Sequence, residues 1–162
     1  MPPLNGALWS DWVMFLRAYK SVVEQVSQDL AEEGMPTLVE YSVLFGLRHA
    51  PDYRLRQVDL SRGVLVSKSR VTRLMNSLVD QGYVSREKTH SDKRVTYAVL
   101  TKKGLDVFER ATPTFGNAFD RYFGSLIALD DQGEISRLLR PLAAQIKPWQ
   151  KQYEPTSTPI YG

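Results

Sequence analysis

The sequence predicts a mainly α-helical fold carrying one small β-hairpin wing. Three observations predict it. Apolar residues recur at helical spacing near both ends of the chain, from Trp9 to Leu30 and again from Leu105 to Ile146. Between these stripes the apolar period drops to two, over residues 84–100. Glycines at 34, 63 and 82 punctuate the region between, where left-handed residues end helices. A length of 162 residues fits a single domain.

The first helix is expected over about residues 9–33, with Trp9, Trp12, Val13, Leu16, Val23, Val26 and Leu30 on one stripe. Gly34 and Pro36 stop it. A stripe this long needs a partner. Thr37 and Glu40 stand three apart and read as a capping box for a second helix through Tyr41, Leu44, Phe45 and Arg48, ending before Pro51. A short third helix should begin at Arg56 or Gln57 and run to Arg62, with Gly63 closing it. Val64, Leu65 and Val66 make a tight apolar connection to a fourth helix. That helix is capped by Ser67, continues to Gln81 and packs through Val71, Leu74, Met75 and Leu78, with Gly82 ending it.

Residues 84–88 and 95–100 read as two strands of a hairpin. In the second, Val95, Tyr97 and Val99 alternate with Thr96, Ala98 and Leu100, and the polar residues 89–94 form a basic tip. Thr101 caps a fifth helix whose Leu105, Phe108, Thr112, Phe115, Phe119, Tyr122 and Leu126 alternate at three and four, a seam for another helix. Pro113 should kink it. The last helix starts at Asp130 or Asp131 and carries Ile135, Leu138, Leu139, Leu142 and Ile146, with a bend expected at Pro141. The ends, residues 1–6 and 154–162, are expected to fray.

Composition narrows the function. The absence of cysteine excludes disulfides, thiolate zinc sites and cysteine nucleophiles, and is compatible with a cytoplasmic location. The start lacks the basic-then-apolar order of a leader, and no apolar run is long enough for a bilayer, so no membrane partner is expected. The net charge of +3 is unevenly placed: residues 54–110 hold 13 Lys/Arg against 6 Asp/Glu, a net +7, and the remainder is net −4. A nucleic-acid face on an acidic scaffold gives this asymmetry, and so does an unevenly charged solvated surface. No phosphate-binding glycine loop, HExxH, GxSxG or paired-carboxylate motif is present, so an enzyme is not expected. His49 and His90 are the only imidazoles and have no clustered ligands, so neither a metal nor any other cofactor is expected.

Helix, tight turn, helix and hairpin is the order of a winged helix-turn-helix, in which the second helix enters the major groove of DNA. The outward residues of the fourth helix are Ser67, Lys68, Ser69, Arg70, Thr72, Arg73 and Asn76, and no acid interrupts them before Asp80. Arginine pairs with guanine and asparagine with adenine through two bonds each. At the hairpin tip, Asp92, Lys93 and Arg94 place an acid two residues before an arginine, which suits a guanidinium held ready for the minor groove. A turn-stabilising ion pair is the plainer alternative.

From Val66 to Arg86 the sequence resembles the recognition helix and following turn of MarR-family regulators. The Asp92-Lys93-Arg94 triplet, followed by Leu100, Thr101 and Gly104, is similar to the family's wing and its exit. The resemblance covers about residues 9–150. It implies a sequence-specific transcriptional regulator, with repression as the expected sense, binding a near-palindromic double-stranded operator as a homodimer. Residues of about 9–33 and 112–150 would be dimerisation helices, intertwined between chains, and about 38–110 the winged DNA-binding lobe, all within one domain spanning 1–162. Ser67 to Asn76 would face the major groove, with Asp92 and Arg94 as the wing pair. The family commonly responds to a small aromatic or phenolic ligand. Trp12, Arg17, Tyr41, Phe45, Arg48 and His49 are the candidate lining here, with core packing as the alternative for the aromatics and a helix-end role for His49. The family's cysteine-based peroxide sensing is excluded. The competing class is a winged-helix module that binds protein without DNA.

Overall fold

A computed structural model describes residues 6–63, 68–88, 95–127 and 131–143. The order of elements is α1 (Gly6–Glu32), α2 (Leu38–Arg48), a 3-10 turn (Pro51–Tyr53), β1 (Arg54–Arg56), α3 (Gln57–Gly63), α4 (Lys68–Asp80), β2 (Val84–Lys88), β3 (Thr96–Leu100), α5 (Lys102–Tyr122), a second 3-10 turn (Gly124–Leu126) and α6 (Gln132–Ala143). The fold is mainly helical with one small antiparallel sheet, as the apolar periods predict. The connection at Val64–Val66, the Ser67 cap, the wing tip, Ile146 and both chain ends lie outside the described residues.

The helix boundaries follow from local chemistry. At the start of α2 the Thr37 side chain accepts from the Glu40 N–H, and the Glu40 carboxylate accepts from the Thr37 N–H at 3.0 Å, so the capping box is present in both directions. Helix α4 ends as expected at Gly82, which sits at φ +74; the Gly82 and Tyr83 N–H groups donate back to Val79 and Leu78, both at 2.9 Å. The same pattern ends α1 at Gly34.

Three expectations need correction. The sheet has three strands in the order β1-β3-β2, and not two. Arg54, Leu55 and Arg56 pair with Val99, Ala98 and Tyr97, which also moves Arg56 out of α3. Two consecutive left-handed residues, Asp52 and Tyr53, turn the chain into this short strand. Gly63 is the last residue of α3 and does not lie beyond it. The long seam of the fifth helix stops at Tyr122, because Phe123 leaves helical geometry and Leu126 falls in a separate turn. Pro113 lies inside the uninterrupted α5.

One core joins α2, α3, α4, the sheet and α5, built on Tyr41, Leu44, Leu47, Leu60, Met75, Leu78, Val84 and Phe108. A second, smaller cluster holds α1 to α5 through Val26, Leu30 and Ala118. The first part of α1 lies beyond both. From Gly6 to Ser21 every residue is exposed except Val13, which is half-buried.

Candidate nucleic-acid interface

Helix α4 is two-faced. Val71, Met75 and Leu78 are buried and Leu74 packs against the same core. Arg70, Thr72, Arg73 and Asn76 are exposed on the other side. Helical spacing alone produces this split, since residues 71, 75 and 78 share a stripe and the polar residues fall between its repeats. Lys68 and Ser69 are the first two residues of the helix. Ser67 and the wing residues Asp92, Lys93 and Arg94 fall outside the described residues.

The C-terminal end of α4 is held by two other helices, α2 and α5. Gln81 donates through Nε2 to Glu40 Oε1 at 3.0 Å, so the carboxylate that caps α2 also receives the end of α4. Thr101, the cap of α5, donates its hydroxyl to the Gly82 carbonyl at 2.7 Å and accepts from the Gly104 N–H at 3.0 Å. Lys103 donates to the Gln81 carbonyl at 2.7 Å, a cation at a helix C-terminus, where the helix dipole favours it. Gly104 is required by space: a Cβ there would stand 2.1 Å from the Tyr83 carbonyl oxygen. This gives the Leu100, Thr101 and Gly104 motif a physical reading. It is the joint that fixes the angle between α4 and α5.

The sheet adds arginines that sequence reasoning did not single out. Arg86 shares a strand face with buried Val84, and its Nη2 donates to Asn76 Oδ1 on α4 at 2.6 Å. On the opposite face, Arg54 lies 4.6 Å from the Tyr97 ring centroid, and Arg56 Nε donates to the Tyr97 hydroxyl at 3.4 Å. That bond holds the Arg56 guanidinium above its ordinary pKa. Arg86 was within reach of the sequence: the strand period puts residues 84, 86 and 88 on one face, and Val84 marks that face as the one turned toward α4. Arg54 and Arg56 were not, because a three-residue strand carries no periodic signal.

The candidate ligand residues separate. Tyr41 is 3 % exposed, its ring stacked at 4.4 Å on Phe115 and 5.2 Å on Phe108, so its aromatic face belongs to the core. Phe45 continues this row to His49, with ring centroids 4.2 Å apart. His49 ends α2 and donates Nδ1–H to the Phe45 carbonyl at 2.8 Å, the helix-end arrangement weighed above. Arg48 turns to the Tyr53 ring at 5.4 Å. Trp12 and Arg17 stand exposed on the first half of α1, Trp12 with its ring near Phe15.

The MarR family model matches residues 33–95, the stretch from the end of α1 to the far side of the wing. The uncharacterised HTH-type transcriptional regulator YkoM of Bacillus subtilis (strain 168) is 36 % identical over 128 residues, covering 78 % of this chain and 80 % of that protein. The chain belongs to the MarR family. Among solved structures, the MarR family transcriptional regulator AbsC from Streptomyces coelicolor is similar with a TM-score of 0.82 and 28 % identity, over 91 % of this chain and 99 % of that one. Sco3205, a MarR family regulator from the same organism solved in complex with DNA, is similar with a TM-score of 0.83 and 25 % identity, over 91 % of this chain and 93 % of that one. The protein is therefore a MarR-type winged-helix DNA-binding transcriptional regulator. These comparisons support no reading as a protein-binding module without DNA. The relatives named here are transcriptional regulators, and among the described residues no helix is long and apolar enough to cross a membrane.

Proposed function

We propose that the protein represses transcription by binding a near-palindromic operator as a homodimer, with α4 of each chain in successive major grooves. The single observation that carries this is the split of α4: a buried stripe of Val71, Met75 and Leu78 behind an exposed row of Arg70, Thr72, Arg73 and Asn76. On the sequence pattern alone, Ser67, Lys68 and Ser69 would extend that row and Asp92, Lys93 and Arg94 would supply a cation for the minor groove. Two-fold symmetry sets the half-sites about one helical turn apart.

The second chain is needed by the termini. Trp9 and Trp12 on α1, and Leu138 and Leu142 on α6, are all more than half exposed in the single chain. Large aromatic and aliphatic side chains this open are the material of an interface. Residues 9–33 and 112–150 are thus read as dimerisation helices and 38–110 as the DNA-binding lobe. Binding an operator puts its work in the cytoplasm. A small aromatic or phenolic acid would act where Phe45 and His49 reach the surface beside Arg48, with Trp12 and Arg17 supplied by the first half of α1, and would release DNA by changing the spacing of the two α4 helices.

Fluorescence anisotropy tests the reading. The duplex upstream of the protein's own gene is compared with a scrambled one at several salt concentrations, using wild type, Arg73→Ala and Arg94→Ala. Selective binding that weakens with salt is expected. Each substitution should weaken it by about 1–3 kcal/mol if the arginine reads a base, or lower the salt slope by about one if it meets a phosphate. Wild-type binding by both variants would remove α4 and the wing as the contact surface. A panel of aromatic acids added to the preformed complex should contain members that lower the anisotropy.

A further inference from the structure

Asn76 is already engaged on the face of α4 proposed to meet DNA. Its Oδ1 accepts a hydrogen bond from Arg86 Nη2 at 2.6 Å, although both residues are exposed. We propose that Arg86 is a positioning residue that turns the Asn76 amide so that it meets DNA chiefly as a hydrogen-bond donor, and that the operator base facing Asn76 is guanine and not adenine. This rests on the DNA-binding reading above and adds a rule of specificity to it.

The orientation of the Asn76 amide follows from its partner. A guanidinium has five N–H donors and no acceptor, so only the amide oxygen can face it. The amide NH2 is then turned to the other side. An unheld asparagine matches adenine through two bonds, its oxygen accepting from the N6 amino group and its NH2 donating to N7. With one lone pair of the oxygen taken by Arg86 and the cationic guanidinium standing beside the other, an incoming N6 amino donor is crowded and repelled, and the first of these bonds is weakened. Guanine presents N7 and O6, two acceptors side by side, which suit two amide hydrogens. Cytosine offers a donor, which a donor cannot use, and thymine offers one acceptor.

The holding group is itself well placed. Arg86 pairs opposite Ala98 in the middle of the β2–β3 ladder, two residues from buried Val84, so its backbone is anchored in the core and not in the wing tip. The bond is charge-assisted and short. DNA arriving on this face displaces water, which strengthens a hydrogen bond to a cation and raises the cost of leaving its donor unpaired. The remaining N–H groups of the guanidinium are of the right type to meet backbone phosphates, which a planar guanidinium binds well.

The test selects duplexes from a pool randomised across one half-site, with wild type, Asn76→Ala and Arg86→Ala, followed by anisotropy on the selected sequences. Because both side chains are exposed, both variants should melt like wild type, which is measured alongside. Wild type is expected to favour guanine over adenine about tenfold at one position, a preference the Asn76→Ala variant loses. In Arg86→Ala the preference at that same position should move to adenine. A merely structural tie between β2 and α4 would lower affinity for all sequences together and leave the base preference where it was. The proposal is overturned by adenine at the Asn76-dependent position in wild type, by guanine persisting in Arg86→Ala, or by no position responding to Asn76→Ala. Wild type that retains no duplex at low salt would instead overturn the DNA-binding reading, and this inference with it.

Discussion

The two ends of this chain and its middle are built from the same kinds of residue and treat them in opposite ways. In the middle, Leu44, Leu47, Met75 and Leu78 are fully buried by α2, α4, α5 and the sheet of a single chain. On the first half of α1, Trp9, Trp12, Phe15 and Tyr19 stand between 43 % and 53 % exposed, and Leu138 and Leu142 of α6 are open as well. Burying a side chain of this size is worth about 1.5–3 kcal/mol, so the middle has collected that stabilisation and the ends have not. The lesson is that apolar periodicity announces burial without saying which chain supplies the cover. Val26 and Leu30 lie on the same helix as Trp9 and Trp12, yet they are buried against Ala118 of α5 while the two tryptophans stay half exposed.

Substitutions can break or sharpen this contrast, and the largest effect should come from the middle. Met75→Ala removes a fully buried side chain beneath the exposed row of α4 and should cost about 2–5 kcal/mol in chemical denaturation, at any protein concentration. A cost that grew on dilution would mean that the middle also depends on a second chain. Gly104→Ala is next. With no room for a Cβ against the Tyr83 carbonyl, the α4–α5 joint must shift, and about 1–3 kcal/mol of stability should go with it. DNA affinity should fall further than the loss of folded protein accounts for, because the joint aims α4.

The ends should behave differently. Replacing Trp9 and Trp12 together by serine should leave the thermal transition of the middle in place while moving sedimentation toward the monomer. The contrast fails if the doubly substituted chain sediments like wild type. The smallest effect belongs to Thr37→Ala, which removes one side of the α2 capping box and should cost about 1 kcal/mol in thermal denaturation. A neutral result there would show that the Glu40 tie to Gln81 holds the start of α2 unaided.

Much of this arrangement was legible in the residues alone. Spacing located the longer helices because each has an apolar stripe of several turns, and Thr37, Gly82 and Thr101 marked boundaries through chemistry local to the backbone. The inner and outer faces of α4 followed from the same periodicity. What escaped detection was short or relational. Strand β1 exists because β3 offers it a ladder, and Arg54-Leu55-Arg56 has no pattern of its own to announce that. The Arg86–Asn76 bond joins residues on different elements, and only the strand parity of Val84 hinted at it. Tyr41 is a pocket candidate on sequence, with core the commoner role for such an aromatic, and its stacking on two phenylalanines from α5 puts its ring in the core.

The most direct measurement is sedimentation velocity of the wild-type protein with a labelled duplex from upstream of its own gene, beside a scrambled duplex of equal length. The account predicts a complex of two chains per duplex, formed selectively on the upstream sequence and weakened by added salt. One chain per duplex, or equal binding to both sequences, would contradict it.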